Sequence, residues 1–280
     1  MSAIAARRLP RIALYGSLTG LSVLWLVPVA TAFMISVLPL DRTHQGWWTF
    51  HIGELTMRNY RRAWDEGLSS YVVNSFVITC LAVLVTVAFG LLAAYAFARL
   101  NFRFEKTTYF LLVTTMIVPV QIILVPLLPW FRTLNLTTGS RAYLGIVLVH
   151  TAFGAGWAVF MLTAFVSDIP NEFFEAAQVD GATHLDLFRK LVLPLALPGI
   201  VSFAIIDFIF VWNDLLLALT LLQHDYQPIT VGLANLQSPH LAQEDIVSAG
   251  AMMAILPPLL LFALLNRYYV RGLFAGGVKG

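Results

Sequence analysis

The chain has 280 residues, of which 59% are hydrophobic and only 11% charged, with a formal net charge of +2. Soluble domains carry roughly 25% charged residues, so the composition excludes a solvated globular domain, and the small net charge without long basic runs excludes a nucleic-acid binder. A single cysteine, Cys80, excludes a disulfide framework and a cysteine metal site. Set in an apolar stretch, it reads as a small packing residue.

The expected fold class is all-α, a polytopic membrane protein with six transmembrane helices. A helix needs about 20 apolar residues to cross a ~30 Å hydrocarbon core. Residues 12–38, 71–98, 109–134, 143–166, 191–222 and 246–265 qualify, and none alternates as a barrel strand would. The first span follows Arg7, Arg8 and Arg11, and Ala30-Thr31-Ala32 has the look of a signal-peptidase site. The apolar run before that site is longer than a signal peptide needs, which favours an uncleaved first helix. The outer loop that follows carries Trp47, Trp48, Tyr60 and Trp64. These aromatics suit an interfacial belt, with stacking on a sugar as the alternative.

Orientation follows the basic residues. With the N-terminus inside, the inner segments hold eleven of them, among them Arg99, Arg103, Lys106, Arg189 and Lys190, against six outside. The bias predicts cytoplasmic N- and C-termini. Prolines punctuate the spans: Pro119, Pro126 and Pro129 in the third, Pro194 and Pro198 at the start of the fifth, Pro257 and Pro258 in the sixth. Each removes a backbone donor and serves either ordinary kinked packing or a hinge in a moving pathway.

Residues 167–194 break the apolar pattern and follow helix grammar. Ser167 or Asp168 suits a cap, Pro170 a first turn, and Glu172 and Glu175 the positive end of the helix dipole. Gly181 suits the residue just past a helix end. Thr183 followed by Asp186 predicts a capping-box restart, with Arg189 and Lys190 in the last turn. Phe173, Phe174, Val179 and Phe188 are apolar residues with no place in a plain solvated loop. Beside acidic residues they predict a docking surface.

In the fifth span Asp207 and Asp214 are placed two turns apart, so one helical face carries both. Each carboxylate facing lipid costs about 2.5–3.5 kcal/mol on insertion scales, so that face turns to a wet pathway or to a packing partner. Asn213 and Asp214 suit the outer mouth of a pathway. His150, Asn74, Gln121 and Thr114 read as interhelical hydrogen-bonding groups.

Several of these residues carry a family resemblance. Glu175-Ala176-Ala177, then Asp180-Gly181-Ala182, later Phe188 and then Leu193-Pro194 resemble the EAA loop of ABC importer permeases. Trp212-Asn213-Asp214, the following Leu-Ala-Leu-Thr and Pro228-Ile-Thr-Val-Gly-Leu-Ala resemble the fifth span and outer loop of carbohydrate permeases. The ending Arg271-Gly-Leu-Phe-Ala-Gly-Gly-Val-Lys-Gly280 resembles the inner permease of maltose-type transporters. It departs at Phe274, where Thr is commoner, and Asp214 stands where Glu is as frequent. The match runs from about residue 60 to 280.

The resemblance implies a type I importer transmembrane domain over residues 67–270. The N-terminal tail, first helix and outer loop precede it (1–66), and a cytoplasmic tail follows (271–280). It implies that the loop 167–194 is a coupling helix seated on an ATPase subunit, through Glu175, Ala176, Ala177, Asp180 and Gly181 with Phe174 beside them. It further implies a second homologous permease, two ATPase subunits that hold the ATP and Mg, and an extracytoplasmic solute-binding protein. The tail 275–280 would touch the ATPase. The chain itself would hold no cofactor or metal and form half of the pathway for a sugar or sugar-like solute in the bacterial inner membrane.

The sequence has no G-x-x-x-x-G-K-[ST] phosphate loop, so the chain does not hydrolyse ATP alone. Two rival readings are weaker. An intramembrane enzyme using Asp207 and Asp214 would hold its carboxylates about 10 Å apart along one helix, too far to share a proton. A secondary transporter would show repeated halves and ionisable residues on several spans.

Overall fold

The computed structural model describes residues 2–43, 45–49, 51–236 and 243–275. Every regular element among them is a helix. The chain divides into two compact units, residues 1–68 with 233–255 and residues 69–232 with 256–280.

In the first unit, helix α1 (Ser2–Ser36) exposes apolar side chains all round, from Leu14 through Trp25 to Phe33. A helix apolar on every side belongs in lipid or against other apolar helices. Helix ends leave carbonyls without partners. Here the Asn59 amide donates to Ser36 O at 3.0 Å and Leu38 O at 2.7 Å, while Tyr60 Oη lies 2.8 Å from Ser36 Oγ. Tyr60 thus ties down a helix end. The buried Asp245, at the start of the last helix, has Arg62 at 3.9 Å, and Arg62 also donates to Gln243 Oε1 at 3.2 Å.

The second unit is built on α2 (Ser69–Arg99) packed along α5 (Gly139–Ser167), with α8 (Leu197–Trp212) against both. Small residues let the backbones approach, as membrane helices require. A Cβ added at Gly90 would sit 2.3 Å from that of Ala158, and one at Gly199 2.4 Å from the ring of Phe165. One apolar cluster around Ile78, Ile146, Val211 and Leu221 fills one end of this bundle. Another, around Leu91, Leu162, Phe174 and Leu187, fills the other.

Two expected spans are not continuous. Among the described residues four helices are long and apolar enough to cross a membrane, and counting each of two bent pairs as one span brings the number to six. The third stretch breaks into α3 (Glu105–Thr114), a 3-10 turn, and α4 (Val120–Thr133), bent by 97°. Val118 is extended (φ −73°, ψ 118°) before Pro119, because proline clashes with a helical predecessor and offers no N–H. Pro126 and Pro129 lie inside α4 without such a break.

The fifth stretch divides into α7 (His184–Leu195) and α8, bent by 71° at Ala196 ahead of Pro198. It stops again at Asn213, and a short α9 (Leu216–Leu221) follows. The chain then returns through residues 222–228 into α10 (Ile229–Leu236). Asn74 supports this return. Its Nδ2 donates to Asp225 O at 2.9 Å and Gln227 O at 3.0 Å, and its Oδ1 accepts from Tyr143 at 2.7 Å. Ser75 Oγ accepts from Ile229 N at 2.7 Å. Asn74 is therefore the interhelical hydrogen-bonding group the sequence suggests. Thr114 instead bonds within its own helix, to Phe110 O at 2.7 Å.

The sixth stretch is α11 (Glu244–Ala275), with Pro257 and Pro258 inside it. Residues 276–280 of the expected ATPase-contacting tail lie outside the described residues. Cys80, expected to pack, is exposed on an outward face of α2.

Gly90 gives this packing a direct test. Forcing a methyl into a filled contact costs about 1–3 kcal/mol. Gly90→Ala is therefore expected to lower the thermal unfolding midpoint of the detergent-purified protein. Gly20→Ala, where nothing lies within 4 Å, should leave it unchanged.

Candidate functional site

The polar insert between α5 and α8 is a helix–break–helix knob. Helix α6 (Asn171–Val179) starts after Pro170, which stands at the N-cap rather than in the first turn. Ser167 and Asp168 finish α5, where Asp168 N still donates to Ala164 O at 3.1 Å. The break is as the sequence predicts. Gly181 has φ +81°, Ala182 N donates back to Ala177 O at 2.9 Å, and Gly181 N to Gln178 O at 3.0 Å. This is the Schellman pair of bonds that closes a helix on a left-handed residue.

The restart is also as predicted. Asp186 N donates to Thr183 Oγ1 at 3.3 Å, and Thr183 N donates to Asp186 Oδ2 at 3.2 Å. Lys190 lies 2.7 Å from the same carboxylate. The hydrogen bond from Lys190 first, then those from Thr183, hold the Asp186 carboxyl well below the usual carboxylate range. A depressed folded pKa stabilises above the unfolded value and is lost as pH falls through the folded one. The contribution of the cap is therefore present above the ordinary carboxylate range and fades as the pH falls below it.

Burial sorts the knob's side chains. Phe174, expected at the docking surface, is 6% exposed and packs with Leu187, Val166 and Ile169. It lies on the face of α6 that also carries Ala177, so the 3.6-residue period turns it inward while Glu172, Glu175, Ala176 and Val179 face out. Phe188 is half-buried, edge-on to Tyr95. Apolar residues that remain outside include Phe173, Val179 and Leu185, beside Glu172, Glu175 and Asp180. Leu185 was not singled out in the sequence.

Neither was Arg99, the residue that anchors the knob. Its guanidinium donates to Val166 O at 2.6 Å and Ser167 O at 3.5 Å, and also to Ile169 O and to Asn171 Oδ1. It sits 4.1 Å above the Phe174 ring. From α2, Tyr95 Oη also reaches His184 Nδ1 at 3.2 Å. The end of α2, the end of α5 and the start of α6 thus meet on one cation. Its sequence signal was only that of one basic residue at a span end.

Asp207 and Asp214, expected on one face of the fifth span, separate. The helix ends at Asn213, so Asp207 and Asp214 do not share a face. Asn213 is exposed and bonds back to Ile209 O at 2.7 Å. Asp214, one residue before the N-cap Leu215, accepts from Leu217 N at 3.2 Å and Ala218 N at 3.1 Å, so its carboxylate receives the first free N–H groups of α9. Its other carboxylate neighbour is His150 Nε2 at 3.8 Å. Asp207 is 3% exposed within α8 and borders a cavity. No group of three or more His, Cys, Asp or Glu able to hold a metal occurs among the described residues.

Arg99→Met removes the charge-assisted bonds and leaves α5 carbonyls orphaned. Charged hydrogen bonds are worth about 1.5–3 kcal/mol each. Amides of residues 171–182 in the variant are expected to exchange with deuterium at least about tenfold faster, with the middle of α2 and α5 unchanged. Arg99→Lys, lacking the planar fork, should fall between. Unchanged exchange in Arg99→Met would show that the anchor carries no stability.

Comparison with known proteins agrees with this architecture. Residues 86–274 match the family described as "Binding-protein-dependent transport system inner membrane component". The "Osmoprotective compounds uptake permease protein GgtD" of Synechocystis sp. is 37% identical over 265 residues, covering 91% of this chain and 88% of that protein. The "Melibiose/raffinose/stachyose import permease protein MelC" of Bacillus subtilis is 34% identical, covering 83% and 84%. The "Trehalose transport system permease protein SugB" of Mycobacterium tuberculosis is 34% identical, covering 91% and 93%. Among solved structures, a chain of a bacterial ABC transporter that imports the acidic polysaccharide alginate superposes with a TM-score of 0.80 over 94% of this chain and 98% of that one, at 22% identity. It supports the fold. With a family match over more than half its length and relatives above 30% identity along most of it, the chain belongs to the inner-membrane components of binding-protein-dependent transport systems.

Proposed function

We propose that the chain is the permease subunit of an ATP-driven importer and forms half of the pathway for a sugar or sugar-like solute. A second homologous permease completes the pathway. Two ATPase subunits, which hold the ATP and Mg, dock on the knob, and an extracytoplasmic binding protein delivers the solute. Relatives named for melibiose, raffinose, stachyose and trehalose support the solute class. The transmembrane domain is read as residues 67–270, with both termini in the cytoplasm.

The observation that carries this reading is the knob. It presents Glu175, Ala176, Asp180 and Gly181 on its outer side, with Phe173 and Val179 uncovered beside them. An apolar patch in an acidic rim suits a protein groove. Its inner side is tied to α2 and α5 through Arg99 and Phe174. A push on its outer face therefore passes into the bundle instead of bending a loop. Phe174 and Ala177 serve from within, as the floor of the knob. ATP binding closes the ATPase pair, the knob follows, and the bundle turns from inward-open to outward-open without breaking a bond in the solute.

Glu175→Lys changes an exposed charge and no buried contact. In proteoliposomes holding the whole importer it is expected to leave assembly intact and to uncouple ATP hydrolysis from uptake. Gly181→Asp, which places a side chain at φ +81°, should do the same. Wild-type uptake per ATP in both variants would refute the coupling role.

Topology is tested independently. Reporter fusions after Lys279 and within residues 223–245 are expected to report opposite sides of the membrane. The same side for both would reject six crossings.

A further inference from the structure

Between α5, α8 and the broken pair α3 and α4 lies a cavity of about 360 Å³. Its walls include the aromatic rings of Phe153, Trp157 and Phe210, together with Thr115. Asp207 is the one ionisable residue lining it among the described residues. The Thr115 hydroxyl is already taken by Leu112 O at 2.6 Å.

Asp207 is unusual for so buried a group. Thr86 is its polar neighbour on α2, with the Thr86 hydroxyl donating to Thr151 Oγ1 at 3.5 Å; Oδ2 of Asp207 has no partner, and no cation pairs with the carboxylate among the described residues. Buried polar atoms in native proteins are nearly always satisfied, and a lone carboxylate at membrane depth is costly. Gly154 keeps its flank open: a Cβ there would come within 3.1 Å of Oδ1 and 2.8 Å of Thr86 Cγ2. The cavity wall also includes Val118, where the backbone between α3 and α4 is unwound. Irregular backbone at this depth is tolerated where it lines a cavity, and broken helices border the midplane sites of other transporters.

We propose that this cavity is a solute subsite. Trp157 receives the CH face of a sugar ring, Asp207 accepts its hydroxyl hydrogens, and the carboxylate admits neutral or cationic rings while turning away anionic ones. The inference rests on the importer reading and adds a charge rule to it. A ring offering several O–H donors satisfies the open oxygen. A ring bearing its own carboxylate brings a second anion to a site with no cation to offset it.

The test uses the complete importer in nanodiscs, with Cys80→Ser and the reporter Ile206→Cys on the cavity wall. Maleimide labelling of the reporter is followed by mass spectrometry, nucleotide-free and in the ATP-bound state. The probes are methyl α-glucoside, glucosamine and glucuronate, matched in size and differing in charge. Methyl α-glucoside and glucosamine are expected to slow labelling in at least one state, and glucuronate to have no effect.

Asp207→Asn should weaken methyl α-glucoside protection about tenfold, the equivalent of one charge-assisted hydrogen bond, and let glucuronate protect. Trp157→Ala should weaken every probe while keeping the charge order. Equal protection by glucuronate in the parent protein would overturn the proposal. So would no protection by any probe, or a reporter that never reacts because another chain covers it. ATP-driven uptake in the same preparation separates the two readings: uptake that persists while protection fails sinks the subsite alone, and absent coupling sinks the importer reading.

Discussion

One guanidinium holds the working end of this molecule together. The last carbonyls of a helix have no partner within it and carry the negative end of its dipole. At the end of α5 they are met by Arg99, which arrives from α2 and also reaches Asn171 at the start of α6. Only a planar fork with several donors serves so many acceptors at once. Phe174 closes the arrangement from below by offering its ring face to the same cation. The knob is thus mounted on the junction of the two longest helices of its unit, and its outer surface is free to be recognised.

The second constraint is the solvent. Lipid supplies no hydrogen bonds, so each interruption of a helix needs a polar group to receive it. The return of the chain after α9 is received by Asn74 and Ser75, with Tyr143 donating to the Asn74 amide oxygen behind them. The start of α9 is received by Asp214, whose own carbonyl accepts from Thr230 at 2.5 Å. Asp214, which sequence inspection places at the outer mouth of a pathway, is one of these receiving groups. Asp207 is different: it borders open space and keeps an oxygen unsatisfied.

The breaks and the knob are connected through α8. It begins at the 71° bend that ends the knob's second helix and carries Asp207 two to three turns later. A displacement of the knob therefore enters the helix that lines the cavity. Gly199, pressed against the ring of Phe165, marks where α8 crosses α5 at close range. Such a tight contact transmits movement because a packed interior resists compression.

What the sequence determined alone was what depends on neighbours along the chain. Hydropathy located all six apolar stretches. The Schellman break at Gly181 and the Thr183–Asp186 box were legible because each closes within a few residues. The acidic outer side of α6 followed from a single helical period. The tertiary structure decided everything that needed a distant partner. It turned Phe174 inward, because α2 supplied a cation and an apolar floor for it. It made Arg99 an anchor instead of one more residue in a charge count. It ended α8 at Asn213 and set the Asp214 carboxylate on the first N–H groups of α9, because the returning segment found its hydrogen bonds on α2. Local patterns set which backbone groups want partners, and only the packed bundle determines which side chains are near enough to satisfy them.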